Sequence, residues 1–431
     1  MAHSLEARLP FLDYRLVELC FSLPGGELIG GGRTKDVLRR ALGDLLPPLV
    51  RELFLDSVRL RLRSDVPLGT ALSGGIDSSA IAVCVDHLLR TEAENAVAVG
   101  SRQRTFTAYF EVPGFDERPY AEAIVERTRA EPHWISFSDA DLVADLPRIV
   151  EAQGEPFGST SICAGWYVMR EAKRSGLTVM LDGQGGDEVL AGYRAHLGHR
   201  LADLVAQGCF GELKTELMGF RSEHSAAALL TAMSRPFAPE SVTRLVRARA
   251  RGSATLVHPD LRGLPADTGG NGSPFPDRLR RHQQLILTRR GLPELLRYED
   301  RNSMAHSLEA RLPFLDYRLV ELCFSLPGGE LVGGGQTKAV LRRALADLLP
   351  PVVRARRDKL GFVTPEKRWL RGRLGELAAD VFASRSFAER GFVDAAAARR
   401  RLERHRAGRL EAGMELWRAL NLELWARATL D

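Results

Sequence analysis

Three short segments carry residue types and spacings suited to chemistry on an anion. The first is Ser73-Gly74-Gly75-Ile76-Asp77-Ser78-Ser79. Two glycines let the backbone come close to a ligand, and the serine hydroxyls add donors. A helix opening here would aim unpaired N–H groups and the positive end of its dipole at the same spot. Such a turn cradles oxyanions. No Gly-Lys-Ser/Thr follows and the spacing is not G-x-G-x-x-G, which disfavours a Walker A loop and a dinucleotide fingerprint. The second segment is Leu181-Asp182-Gly183-Gln184-Gly185-Gly186-Asp187-Glu188, continuing to Tyr193. Asp77 and Asp187 are the carboxylates expected to share one Mg²⁺ on the oxygens of the bound anion, although the common use of Asp-Glu after glycines is a helix cap. The third runs from Leu295-Leu296-Arg297-Tyr298-Glu299-Asp300-Arg301-Asn302-Ser303 through Glu309-Ala310-Arg311 to Gly333-Gly334-Gly335-Gln336-Thr337-Lys338. Only six of the 60 basic residues are lysines. Lys338 follows three glycines at the start of an apolar helix, where an ammonium is unfavourable beside the dipole's positive end unless an anion compensates. A cation there would stabilise charge developing on a phosphate under attack.

The elements around these segments must bring them together. Glu52–Arg63 has helical apolar spacing, and Val66–Leu72 reads as a buried strand running into the first glycine turn. Thr105–Phe110, His133–Phe137 and Leu177–Leu181 are further strands. Between them, helices are expected at Ser78–Arg90, Pro119–Arg129, Asp139–Gln153 and Ala164–Ser175. Strands alternating with helices predict an α/β fold with a doubly wound parallel sheet, whose loops converge at the carboxyl ends of neighbouring strands. After Tyr193 the strand signal stops and Ala, Leu and Arg dominate, so the C-terminal half is expected to be mainly helical, Val340–Leu349 included. Arg251–Pro276, rich in Gly and Pro, is expected to be a mobile loop, with a lid over a site as the alternative.

Part of the chain is a copy. Residues Met1–Arg51 recur as Met304–Arg354, differing only at Ile29/Val332, Arg33/Gln336, Asp36/Ala339, Gly43/Ala346 and Leu49/Val352. Two copies so far apart cannot build a solenoid. The expected organisation is a duplicated fragment at 1–51 that is no independent domain, an α/β nucleotide-binding core at 52–193, and a helical part at 194–431 that completes the module. Lys35 and Arg8 repeat Lys338 and Arg311, but the strand platform occurs once, so the second copy is expected to complete the site. The first copy could dock on the surface, stay mobile, or swap into a neighbouring chain in a homodimer.

The 431 residues are 45% hydrophobic and 27% charged with a net charge of +5, which excludes a disordered tail and a small stapled scaffold. No dense Lys/Arg run stands out, so no nucleic-acid partner is expected. Cys20, Cys84, Cys163, Cys209 and Cys323 form neither a C-x-x-C pair nor a paired framework, which suits a reducing cytoplasm. No signal peptide or membrane-spanning run is seen.

The S-G-G-x-D-S turn resembles the PP-loop of the ATP pyrophosphatases, with their Rossmann-like sheet. SDVPLGTALSGGIDSS, LDGQGGDEVLAGY and LRYEDRNSMAHSLEARLPFLD, in this order, resemble the synthetase portion of glutamine-hydrolysing asparagine synthetases, from about Glu52 to about Trp425. The resemblance implies ATP and Mg²⁺, adenylation of the aspartate β-carboxylate with release of pyrophosphate, and attack by ammonia to give asparagine and AMP. It assigns Leu72, Ala108, Asp182 and Gly183 to adenosine, and Ser73, Gly74, Gly75, Asp77 and Ser78 to pyrophosphate. It assigns catalysis to Lys338, Gln184 and Arg311. Two departures stand out. Many members carry Glu where this chain has Gln184, and an amide cannot act as a base at neutral pH, so either another group such as Glu188 or a water takes the proton, or the substrate differs. The family's glutaminase begins with a Cys nucleophile, whereas Met1 is followed here by Ala2. The expected nitrogen source is therefore free ammonia, another amine, or a glutaminase on a separate chain. Alternatives are a relative acting on another carboxylate, as β-lactam synthetases and lasso-peptide cyclases do, or an inactive recombined remnant that serves as a binding protein. A tRNA-modifying PP-loop enzyme is disfavoured.

Overall fold

The computed structural model describes Glu18, Ser22 and residues 29–30, 33–34, 36–112, 114–221, 225–237, 256–261, 273–357 and 363–431. A five-stranded parallel sheet organises the chain: β1 (Leu68–Ala71), β2 (Arg104–Ala108), β3 (Glu131–Ile135), β4 (Val179–Leu181) and β5 (Glu309–Arg311), in spatial order β3-β2-β1-β4-β5. Thr70 of β1 faces Thr105 of β2 on one side and Leu181 of β4 on the other. The order reverses between β1 and β4, so the loops leaving their carboxyl ends flank one crevice. Those loops are the first two motifs.

Helices cover both faces. Val179 and Leu181 point into one core and Met180 into the other, as the two-residue period of a strand requires. The first core takes the helices Ile76–Thr91 and Arg118–Thr128, and the second takes Asp139–Gln153, Ser161–Arg174, Arg373–Ala383 and Gly413–Thr429. The Asp139–Gln153 helix starts where expected because Ser138 and Asp141 form a reciprocal capping box.

The described C-terminal half is mainly helical, with one correction. The strand Glu309–Arg311 pairs with β4 in register Val179↔Glu309 and closes the sheet on that edge. Three residues are too few to show alternation, so its identity rests on pairing with β4. A second correction concerns Val340–Leu349. Its helix runs only from Ala339 to Ala344, and a new one starts at Pro351 and ends at Ala355.

The same sequence behaves differently at its other occurrence. The helix Asp36–Leu62 runs unbroken through Pro47 and Pro48. Val50, Phe54, Val58 and Leu62, four residues apart, bury one stripe of it in the first core, and Phe54 packs on Phe314 with ring centroids 4.6 Å apart. Burying each such side chain contributes about 1.5–3 kcal/mol. The expected boundary at Arg51/Glu52 thus falls inside a helix, and Arg51 Nη1 lies 2.6 Å from Asp347 Oδ1 of the second copy. Ile29–Gly30 and Arg33–Thr34 pair antiparallel in the same register as Val332–Gly333 and Gln336–Thr337. Arg8, Cys20 and Lys35 lie outside the described residues, as does most of Arg251–Pro276. Within that stretch Leu256 is buried and Val257 bridges Val393. Cys84, Cys163 and Cys323 are buried free thiols. Among the described residues no helix is long and apolar enough to cross a membrane.

Candidate active site

A cavity of about 620 Å³ opens over the carboxyl ends of β1, β2 and β4. Leu72, Ser73, Gly75, Asp77, Ser78, Ala108, Asp182, Gly183, Gln184, Asp187 and Lys338 all line it. Segments far apart in the chain thus meet in one place.

The first motif forms the floor. Ser78 Oγ accepts the Ser73 N–H at 3.1 Å and donates to the Gly75 carbonyl at 3.2 Å, which folds the turn onto itself. Gly75 caps the Ile76–Thr91 helix without a side-chain hydrogen bond, so the dipole end and first amides of a 16-residue helix face the cavity. Gly74 is turned away from it. Its carbonyl accepts from Arg356 Nη1 at 3.2 Å, while Arg356 Nη2 pairs with Glu117 at 2.5 Å and its guanidinium lies 3.9 Å from the Tyr120 ring centroid. Arg356, which also lines the cavity, therefore braces the turn through the Gly74 carbonyl.

Lys338 is the central cation. It is 2% exposed, and its Nζ reaches Asp187 Oδ1 at 2.6 Å and forms a hydrogen-bonded ion pair with Asp77 Oδ2. Burial pulls its pKa below the usual lysine value, and the Asp77 charge opposes that pull. Gly192 makes the arrangement possible. A Cβ there would sit 1.9 Å from Asp187 Oδ1 and 2.3 Å from Lys338 Cε.

The two aspartates fit a magnesium ion in one respect that the geometry makes plain. A single ammonium touches both carboxylates, and Asp77 Oδ1 is buried with no hydrogen-bond partner. Among the described residues no group of three His, Cys, Asp or Glu side chains is placed to hold a metal. Mg²⁺ commonly binds through one or two carboxylates and completes its shell with phosphate oxygens and water.

The carboxylates of the wall differ in role. Asp182 Oδ1 accepts the Gln184 N–H at 3.0 Å, and burial pushes its pKa up to about 6 against that bond. Glu188 does not line the cavity: it is buried and accepts the Tyr193 hydroxyl at 2.5 Å. Besides Asp77, Asp182 and Asp187, the carboxylate of Glu299, on the Leu292–Met304 helix, reaches the cavity. Its Oε1 is buried without a hydrogen-bond partner, and burial, reinforced by the Asp182 charge, holds its pKa well above the usual range. Glu299 sits within the third motif, but nothing in its helical spacing sets it apart from Asp300 beside it. Tyr298 and Asn302 of the same helix also line the cavity.

Arg311 is not brought to the cavity. It lies on the edge strand β5, where Nη1 donates to the carbonyls of Arg61 and Arg63 at 2.9 and 2.7 Å and Nε pairs with Glu309. It joins β5 to the end of the Asp36–Leu62 helix.

Comparison with known proteins gives matches along most of the chain. The family model described as asparagine synthase matches residues 1–52 and again 49–427. A Mycobacterium tuberculosis protein provisionally named a glutamine-hydrolyzing asparagine synthetase is 33% identical over 386 residues, covering 86% of this chain and 56% of its own length. Asparagine synthetase 1 of Bacillus subtilis, also named glutamine-hydrolyzing, is 27% identical over 90% of this chain and 60% of its own. Amidase chry2 of Gibberella zeae is 26% identical over 80% of this chain and 56% of its own. The chain spans little more than half the length of these relatives.

Proposed function

The chain belongs to the asparagine synthase family, and on that footing we propose that it is an ATP-dependent, AMP-forming amide ligase. The observation that carries the proposal is Lys338 Nζ seated between Asp77 and Asp187 at the mouth of an open helix N-terminus. In this reading the Ser73–Ser78 turn and the helix dipole take the β and γ phosphates, with Leu72, Ala108, Asp182 and Gly183 beside the adenosine. Asp77 and Asp187 would hold a Mg²⁺, which supplies charge neutralisation on the leaving pyrophosphate.

The substrate carboxylate attacks the α-phosphorus; the bond to the β-phosphate oxygen breaks and pyrophosphate leaves. Lys338, shielded from water, stabilises the negative charge that builds on the α-phosphate oxygens. An amine nitrogen then attacks the acyl carbon, AMP departs, and the nitrogen gives up a proton. Gln184 cannot take that proton, and Glu188 is turned to Tyr193. Asp77 is paired with Lys338, which leaves Glu299 as a buried carboxylate that faces the cavity with an oxygen to spare.

Aspartate is the first substrate to test, with ammonia as nitrogen donor. Gln184 favours a second reading, in which another carboxylate is amidated, and one relative bears a name other than asparagine synthetase. Pyrophosphate release from ATP and Mg²⁺ with ammonium separates them. Aspartate-dependent release supports the first, release only with other carboxylates the second, and no release with any carboxylate overturns the ligase proposal. Replacing ammonium by glutamine asks whether this chain draws nitrogen from glutamine by itself.

A further inference from the structure

The glycine turn before Lys338 is gripped from outside the cavity by one carboxylate. Val332–Gly333 and Gln336–Thr337 pair as a short antiparallel hairpin whose tip is Gly334-Gly335. The tip has φ of 62° and 72°, and Lys338 follows at 56°, a left-handed conformation that a residue with a side chain seldom holds unaided. Glu216, on the Phe210–Phe220 helix, is 7% exposed and meets this tip with both carboxylate oxygens. Oε1 accepts the Gly334 N–H and Oε2 the Gly335 N–H, each at 3.1 Å. Two bonds from one rigid carboxylate to successive amides restrain both the position and the tilt of the turn.

The helix also presses directly on the hairpin. A Cβ built on Gly219 would lie 2.6 Å from Gly335 Cα, so the two backbones are in contact. Arg357, which lines the cavity, donates to the Gly219 carbonyl at 3.0 Å and ties the same helix end to the site.

We propose that Glu216 is a positioning residue: by holding Gly334 and Gly335 it keeps Lys338 in the backbone conformation that aims its ammonium at Asp77 and Asp187. The proposal rests on Lys338 being the cation of the site, as in the ligase reading.

Glu216→Gln tests this, because an amide can accept from only one of the two N–H groups and turns a second donor toward the other. Six lysines make a lysine-selective ¹³C NMR spectrum simple to assign, and Lys338→Met identifies the Lys338 signal. The expected result is a moved Lys338 signal with those of Lys173 and Lys367 in place. In turnover, kcat should fall about 100-fold, the order expected when a reacting group shifts by about 1 Å, with KM for ATP nearly unchanged. An unmoved Lys338 signal, or a change in KM alone, would overturn the proposal. Should Glu216→Gln fail to fold, Gly219→Ala keeps the carboxylate but wedges the hairpin, and an unmoved Lys338 signal in that variant overturns the proposal equally. A wild-type chain that releases no pyrophosphate removes the ligase reading and leaves the NMR result to decide the role of Glu216.

Discussion

Replacing Lys338 by alanine removes the side chain that bridges Asp77 and Asp187, and the structure sets the size of the effect. The ammonium is 2% exposed and within 2.6 Å of Asp187 while also paired with Asp77. Losing one partner of a buried ion pair costs about 3–5 kcal/mol of stability, because the remaining charges are left uncompensated. The catalytic loss is separable from this. A single preorganised donor aimed at developing oxyanion charge is worth about 2.7–4 kcal/mol, or about 10²–10³ in rate. Lys338→Ala should therefore lower pyrophosphate release by that factor at saturating ATP, and lower the denaturation midpoint as well. Lys35→Ala, in the first copy, should leave the rate as it is. The assay is initial-rate pyrophosphate release on folded protein, with folding checked by circular dichroism at the assay temperature. A loss below about tenfold for Lys338→Ala, or equal losses for the two lysines, would refute both the role of Lys338 and the assignment of the site to the second copy.

Three further outcomes follow from particular contacts. Gly192→Ala places a methyl 1.9 Å from Asp187 Oδ1 and 2.3 Å from Lys338 Cε, so it should reduce kcat about as much as Lys338→Ala; near-normal turnover would show that the pair can part without cost. Glu299→Gln should slow amide formation more than the exchange of labelled pyrophosphate into ATP, whereas equal slowing of both half-reactions would argue against proton acceptance by Glu299. His196, His199 and His282 pack together, with ring centroids 5.1 Å apart for His196–His282 and 4.3 Å for His199–His282. Burial lowers all three pKa values, that of His199 to about 3. The unfolded chain then binds more protons, so their stabilising contribution is intact above about pH 6.5 and is lost as pH falls below it, by up to about 1.4 kcal/mol per pH unit for each histidine. Urea midpoints at pH 7.5 and 5.5 measure this, and His282→Gln should flatten the dependence; equal midpoints for the wild type would exclude it.

Much of the site is legible in the sequence because its parts are local. A strand, a glycine turn and a helix N-terminus lie within 68–91, and each can be recognised from neighbouring residues alone. The same holds for Asp182, Gly183 and Asp187, where glycines after an apolar run announce a close backbone approach. Other assignments are not local. In sequence Glu188 is as available as Glu299; in the fold Tyr193 occupies it. The resemblance assigns Arg311 to catalysis, yet three-residue β5 carries it to Arg61 and Arg63 at the sheet edge. The prolines at 47–48 sit within a helix while those at 350–351 begin one, so nearly identical text takes different forms in its two settings.

By itself the sequence determined the class of chemistry and the parallel sheet that supports it, since periodicity, turn residues and helix ends act over a few residues. Tertiary structure alone decided which side chains share the cavity. Lys338 and Asp77 are separated by 261 positions, and nothing short of the folded sheet, with Glu216 gripping the second glycine turn, sets the geometry of that pair. An ion pair buried in a cavity depends on the arrangement of every element around it, which is why spacing along the chain could nominate its members and only the fold could join them.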